Sequence, residues 1–363
     1  MPRKKFDSMS KSRAQLYGQM VGLTLAGCWR RLPQPLDLNS VRLAEIVPLL
    51  QISGAAALGW WRLSHSNLAH TPLAETLRGA YRLNTLQARI TQDTIGEVVA
   101  HLGSVGIEPI LVKGWAVARL YPEQGLRPLG DIDLCVRPEE FERAGKALED
   151  LGDRRYDVDL HRGFESLGGG KVDEIHARSR LANLGNTNVR VPCAEDHLRI
   201  LCMHFLREGG WRPLWLCDIA AAVEALPEEF DWSYCLGNDR SRSDAVICSI
   251  AVAHQLLSAN IGRTPAARKT RELPRWLVPA ILKEWGSPQP SMLRRHRAPI
   301  TSYIRYPSGI LQGLRDRWPN PIEATVGMRG PFNDFPRFPF QVGDCLARTL
   351  RFAVRQPKSI RQR

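Results

Sequence analysis

Residues 108–137 read EPILVKGWAVARLYPEQGLRPLGDIDLCVR, and this stretch decides the fold. The apolar run Ile110, Leu111, Val112 predicts a short strand ending at Lys113-Gly114. Trp115 to Tyr121 reads as a short helix, and a Pro/Gly-rich loop carries Arg127. A second strand opens at Asp131-Ile132-Asp133. Side chains alternate along a strand, which sends Asp131 and Asp133 to one face and Ile132, Leu134 and Val136 to the other. Two adjacent carboxylates repel each other. A divalent cation such as Mg²⁺ turns that repulsion into a ligand set, because it takes one or two carboxylates together with phosphate oxygens.

Upstream, residues 72–104 form the longest periodic stretch, with Leu73, Leu77, Tyr81, Ala88, Ile95, Val99 and Leu102 near helical spacing. Leu83, Leu86 and Ile90 lie off that stripe, which predicts a helix buried on more than one side. Downstream, Pro138 opens a helix over Glu139 to Leu151, and its crowded N-terminal acids are explained by the helix dipole. Two strand-like runs follow, Arg155 to Leu160 and Lys171 to Ala177. On the second, alternation gives Glu174 and His176 a common face and turns Asp173 away. Asp157 and Asp159 read as an exposed strand face, and His161 as a structural histidine. From Pro192 onward the pattern is helical: Glu195 to Arg207, Leu214 to Leu226, Ser241 to Leu257, Trp276 to Trp285 and Gly343 to Val354. Residues 286–300 read as a basic loop, 301–317 as a further helix, and the Pro- and Phe-rich stretch 318–341 as surface-wrapping chain.

In their order, Val112-Lys113-Gly114, Tyr121-Pro122, Arg127 and Asp131-Ile132-Asp133-Leu134 resemble the signature of nucleotidyltransferases with the DNA polymerase β-like fold. The similarity is closest to a bacterial branch with a Lys-Gly…Asp-x-Asp motif, whereas the wider superfamily usually has Gly-Gly or Gly-Ser at Lys113-Gly114. The branch pattern continues in Glu174-Ile175-His176, Asp196, His204 and Trp215-Leu216-Cys217-Asp218-Ile219. The resemblance implies an α+β fold, with a small mixed β-sheet flanked by helices and an all-α C-terminal domain. It divides the chain into a basic N-terminal tail and helix (1–38), a helical region packing on the catalytic domain (39–104), the catalytic domain (105–190), a helical domain (191–345) and a basic tail (346–363). The implied activity is transfer of a nucleotidyl group from an NTP to an acceptor hydroxyl on a small molecule, peptide or protein. Two Mg²⁺ ions would be held by Asp131, Asp133 and a third acid, Glu174, with Asp173 as the fallback if the strand slips register. Lys113, Gly114 and Arg127 would meet the phosphates. His176 would orient Glu174 or contact substrate. Asp218 would pair with Arg207 or His204, or reach toward the cleft.

At 363 residues the chain is long enough for more than one domain. The cysteines (Cys28, Cys135, Cys193, Cys202, Cys217, Cys235, Cys248 and Cys345) form no Cys-x-x-Cys pair, which excludes a zinc framework and a disulfide scaffold. No apolar run is long enough to span a bilayer, so no membrane partner is expected and a cytoplasmic location is the default. The net charge of +13 invites a nucleic-acid partner, but part of the excess sits at the two termini and the favoured partner is a nucleotide triphosphate. Two other readings stay open: a nucleotide-binding module without turnover, and an enzyme that extends RNA ends.

Overall fold

The computed structural model describes residues 12–33, 36, 40–151, 157–291, 313 and 315–355. Most of the basic segment expected at 286–300, most of the helix expected at 301–317 and the two extreme termini lie outside these residues. Four helices come first: α1 (Arg13–Leu25), α2 (Ser40–Ile52), α3 (Ala56–Leu63) and α4 (Pro72–Ser104). Thr71 caps α4, its hydroxyl accepting from the Ala74 amide at 3.3 Å, and Pro72 fills the first helical position, where its missing N–H costs nothing. At 33 residues, α4 is about 50 Å long and links the N-terminal helices to the sheet. It buries Leu77, Ala88, Ile95, Val98 and Leu102. Leu83, Leu86 and Ile90 are exposed, so the helix is buried along one stripe and not on several sides.

The sheet has five strands, β1 (Ile110–Leu111), β2 (Ile132–Val136), β3 (Val158–Arg162), β4 (Arg180–Leu184) and β5 (Thr187–Val191), in the order β3-β2-β1-β5-β4. It is mixed: β2–β3 and β1–β5 are parallel, while β1–β2 and β4–β5 are antiparallel. Between the strands lie α5 (Gly114–Ala118), α6 (Phe141–Asp150) and α7 (Val172–Arg178). One face of the sheet packs Leu111, Ile132, Leu134, Val136, Val189 and Val191 against Val98 and Leu102 of α4 and Ala144 of α6. The other face packs Ile110, Val112 and Cys135 against Phe164, Ile175 and Ile200.

Every described element after β5 is helical: α8 (Ala194–Arg207), α9 (Pro213–Glu224), α10 (Trp232–Leu236), α11 (Arg240–Leu257), α12 (Leu277–Trp285), α13 (Pro321–Gly327) and α14 (Phe338–Arg355), with a 3₁₀ stretch at Pro265–Arg271. The fold is therefore α+β, a small mixed sheet followed by helices. The largest apolar core joins the first described helix to later ones, with Val21 and Leu25 of α1 in one cluster with Ile250 of α11 and Ile281 and Trp285 of α12. Gly18 permits that approach, because a Cβ there would meet the Leu282 carbonyl. No described helix is long and apolar enough to cross a membrane.

The run 171–177 departs from the expected strand. Residues 172–178 are helical, with Lys171 and Glu174 pairing at 3.6 Å across one turn. Its single buried side chain, Ile175, cannot supply the period-two apolar face that a strand needs. The strands on this side are instead the hairpin β4–β5, turned by Gly185-Asn186, where Gly185 takes a φ of 62°.

Candidate active site

The site begins where β1 stops. Lys113 follows Val112 with φ 53° and ψ −141°, a conformation that non-glycine residues rarely hold and that costs on the order of 1–3 kcal/mol. Gly114 continues at φ 33° and opens α5, and a Cβ on it would sit 3.7 Å from the Asp131 carbonyl. The turn is held because the Val112 amide donates to the Asp133 carbonyl at 3.0 Å, extending the β1–β2 pairing. It delivers Lys113 Nζ to within 2.6 Å of Asp133 Oδ1, with both side chains largely buried. The distorted backbone and the ion pair thus belong to one device that aims the ammonium at the start of β2.

Asp133 and Asp159 stand opposite each other in the parallel β2–β3 ladder, and His161 is opposite Cys135 two positions further on. With Nε2 protonated, His161 lies 3.0 Å from Asp133 Oδ1 and 3.3 Å from Asp159 Oδ2. Donor atoms of Asp133, Asp159 and His161 all fall within 4.8 Å of one another. Burial pushes the Asp133 carboxyl up, but the hydrogen bond from His161 and the nearby Lys113 charge outweigh it and hold the group below its ordinary value. Asp131, just before β2, is exposed, and desolvation together with neighbouring Asp133 raises its carboxyl. Three carboxylates here face Lys113 and His161, and Arg212 acts on Asp131 from the far wall of the cleft. Oxygen donors in surplus over fixed cations suit a hard divalent ion, so the residues present fit a metal site.

A second cluster anchors the loop between α5 and β2. Arg127 directs Nε (3.4 Å) and Nη2 (3.0 Å) to the two carboxylate oxygens of Asp218 on α9, and its Nη1 donates to the Pro128 carbonyl at 2.8 Å. The Tyr121 hydroxyl donates to Asp218 Oδ1 at 2.8 Å. Arg127, Tyr121 and Asp218 are all buried, Asp218 completely. Burial, reinforced by the Asp218 charge, drives the Tyr121 phenol well above its ordinary value, so it stays protonated as a donor.

Between sheet and helices lies a cleft of about 380 Å³, lined by Lys113, Gly114, Arg127 and the 128–131 loop together with Asp133 on one side. Leu201, His204 and Glu208 of the α8 region and Arg212, Trp215 and Asp218 of the α9 region form the other. The Trp215 ring meets His204 edge-on at 4.4 Å and Trp211 at 5.6 Å, and the Arg212 guanidinium lies 5.5 Å from its centroid. Arg212 is fixed by donating Nε to the Ser53 carbonyl at 2.7 Å. Burial, with Lys113 nearby, pushes His204 down to about 3, so it is neutral at neutral pH.

Of the residues that the sequence singled out, Lys113, Gly114, Arg127, Asp131, Asp133 and Asp218 all line this cleft. Asp218 pairs with Arg127 and Tyr121, not with Arg207 or His204. Glu174 and His176 do not line it. Glu174 projects from α7, half-exposed, onto Lys171. His176 faces Glu108 at 3.7 Å, a residue whose carboxylate is bound by Arg190 at 2.8 Å. The face shared by Glu174 and His176 was inferred from strand alternation, and helical geometry removes that inference. The acid that the sheet brings beside Asp133 is Asp159. Its signal was in the sequence, since Val158-Asp159-Leu160-His161 carries the same acid–apolar–His pattern with strand periodicity intact.

Residues 40–258 match the model of a family described as uncharacterised nucleotidyltransferases, which is more than half of the chain. No curated protein and no solved structure matches. The chain belongs to that nucleotidyltransferase family.

Proposed function

We propose that this nucleotidyltransferase moves an NMP group from an NTP to an acceptor hydroxyl, with Mg²⁺ held by Asp131, Asp133 and Asp159. The observation that carries this reading is the in-register pair Asp133 and Asp159, with donor atoms converging beside a cleft that also holds Lys113. Two Mg²⁺ ions bound there would offset charge on the triphosphate and lower the pKa of the acceptor hydroxyl. The acceptor oxygen attacks the α-phosphorus, the bond to the bridging oxygen breaks, and pyrophosphate leaves. Asp159, the half-exposed acid, takes the proton released by the acceptor.

Lys113 supplies positive charge at the floor of the cleft where phosphate oxygens would lie. Gly114 lets the backbone come close to them. Arg127 has all three of its nitrogens engaged within the protein, so its role here is to fix the 127–131 loop and not to clamp phosphate. Trp215 offers an aromatic wall for the base, and neutral His204 beside it can hydrogen-bond without adding charge. The acceptor is a small molecule, a peptide or a protein.

The test is pyrophosphate release from each of the four NTPs with Mg²⁺, with and without cell extract as a source of acceptor. Release that rises with extract and vanishes in Asp131→Asn and Asp159→Asn supports the reading. Unchanged release in the Asp159→Asn protein would remove Asp159 from the site.

A further inference from the structure

Arg212 lies where the chain turns from α8 into α9, and its backbone is fixed by its neighbour. Pro213 fills the first helical position of α9, and the residue before a proline is held extended, as Arg212 is at φ −103° and ψ 109°. Its side chain is aimed by the N-terminal helices. α2 ends in a Schellman turn: the Ala55 amide donates to the Leu50 carbonyl at 2.8 Å and the Gly54 amide to the Gln51 carbonyl at 3.1 Å, with Gly54 at φ 71°. The Ser53 carbonyl is one of the acceptors left over at the helix end, and Arg212 Nε donates to it at 2.7 Å. The guanidinium then lies over Gly54, where a Cβ would strike Nη2. Its central carbon is 6.0 Å from the Trp211 ring centroid and 5.5 Å from that of Trp215.

A guanidinium that did nothing but fasten α9 to this turn would use its fork on protein acceptors, as Arg127 does. Arg212 uses Nε alone. Among the described residues, Nη1 and Nη2 make no hydrogen bond and no ion pair. The side chain is nevertheless half-buried and forms part of the cleft wall. Burial and then the Arg127 charge lower its pKa, against the opposing pull of Asp218 and Asp131. An arginine remains charged at neutral pH all the same. Lys113 lies on the sheet side of the cleft and Arg212 on the helix side. Two cations facing one cleft suit a ligand with several anionic oxygens, and the paired N–H groups of a guanidinium match phosphate oxygens.

We propose that Arg212 is the arginine that binds substrate: its Nη groups hold oxygens of the NTP triphosphate across the cleft from Lys113. The inference rests on the transferase reading above for the identity of the ligand. It also gives the Ser53-Gly54 turn a task, because the N-terminal helices then set the direction of a substrate-binding side chain 159 positions along the chain.

The experiment is calorimetric titration of the full chain with inorganic tripolyphosphate in the presence of Mg²⁺. It compares wild type, Arg212→Gln, Arg212→Lys, Gly54→Ala and Arg89→Gln, with melting temperatures and the NTP dependence of pyrophosphate release taken on the same samples. Arg89 is an exposed arginine of α4 outside the cleft, so its variant controls for the loss of one charge. Arg212→Gln is expected to weaken tripolyphosphate binding about tenfold or more and to raise KM for the NTP by a similar factor, the loss typical of a charge-assisted hydrogen bond. Arg212→Lys, with the charge but no fork, should fall between. Gly54→Ala keeps the arginine, displaces Nη2 and should also weaken binding. Arg89→Gln should bind as wild type does. Unchanged binding and KM in Arg212→Gln, with a lower melting temperature, would make Arg212 a fastening for α9 and overturn the inference. Absence of tripolyphosphate binding by wild type overturns it too, as does equal weakening by Arg89→Gln, since net charge would then account for binding. If the glutamine variant does not fold, wild type decides: tripolyphosphate should protect Arg212, and not Arg89, from phenylglyoxal as read by peptide mass spectrometry. Equal modification of Arg212 with and without tripolyphosphate overturns the inference. The transferase reading fails separately, by wild type releasing no pyrophosphate from any NTP.

Discussion

Asp133 and Asp218 are both buried carboxylates held by a cation and a second hydrogen-bond donor, yet they serve different ends. Asp218 takes two nitrogens of Arg127 and the hydroxyl of Tyr121. Around it the charges balance and the donors are saturated, so it ties α9 to the loop before β2. Asp133 takes Lys113 and His161, but Asp131 and Asp159 add two further carboxylates to the same region. There three carboxylates share Lys113 and His161, with Arg212 acting on Asp131 from the far wall of the cleft, and carboxylate oxygens remain for a further cation. A buried ion pair in balance is structural. A carboxylate cluster in excess is a place for a cation that arrives with the substrate.

Breaking the excess side has the largest expected effect. Asp133→Asn should lower the rate of pyrophosphate release about 10³-fold or more, roughly 4 kcal/mol of transition-state stabilisation, while circular dichroism shows a folded protein. Breaking the balanced side should unsettle the fold. Asp218→Ala leaves the buried Arg127 charge uncompensated and should cost about 3–5 kcal/mol in urea unfolding, whereas Asp218→Asn, which keeps an acceptor oxygen, should lose less.

Acid sharpens the comparison through the helix behind the cleft. His197 and His204 on α8 are both pushed down to about 3, chiefly by burial, with Arg119 and Lys113 respectively adding to it. Below the ordinary histidine value of 6.5 the unfolded chain binds protons that the folded chain refuses. The stability tied to neutral histidine is therefore present above about pH 6.5 and is lost as pH falls toward 3, at about 1.4 kcal/mol per pH unit for each group. Urea unfolding at a series of pH values should show this slope, and His197→Leu should roughly halve it. The smallest effect on stability is expected at the turn. Lys113→Gly removes the positive-φ strain of about 1 kcal/mol or more along with the Asp133 ion pair, so the melting temperature should move little while activity falls steeply. Lys113→Ala, which keeps the strain and loses the pair, should melt lower than Lys113→Gly.

The sheet's first two strands, the long α4 and the α8–α9 pair were legible because each carries its own local signal: an apolar run closed by Lys-Gly, a Thr-Pro start, stripes at helical spacing. The cleft residues from 113 to 133 followed, because chain order and strand alternation suffice to bring them together. Glu174 failed for a physical reason. Val172 to Arg178 has one buried apolar side chain and mixed propensities, and a run that short takes its structure from its surroundings. Asp159 was passed over because its own strand lacks a Lys-Gly turn. The parallel ladder that sets it against Asp133 is a long-range contact that no local pattern announces. The hairpin 180–191 had a local signal in Gly185-Asn186 followed by the alternating run Thr187 to Val191.

The most direct test of the account is Mg²⁺-dependent pyrophosphate release measured side by side in wild type, Asp159→Asn and Glu174→Gln, each checked for folding. The account predicts that Asp159→Asn, which removes a donor converging with Asp133, is inactive and that Glu174→Gln, altering a residue on α7 that faces Lys171, releases pyrophosphate at close to the wild-type rate. An active Asp159→Asn protein beside an inactive Glu174→Gln protein would contradict it and return the third acid to α7.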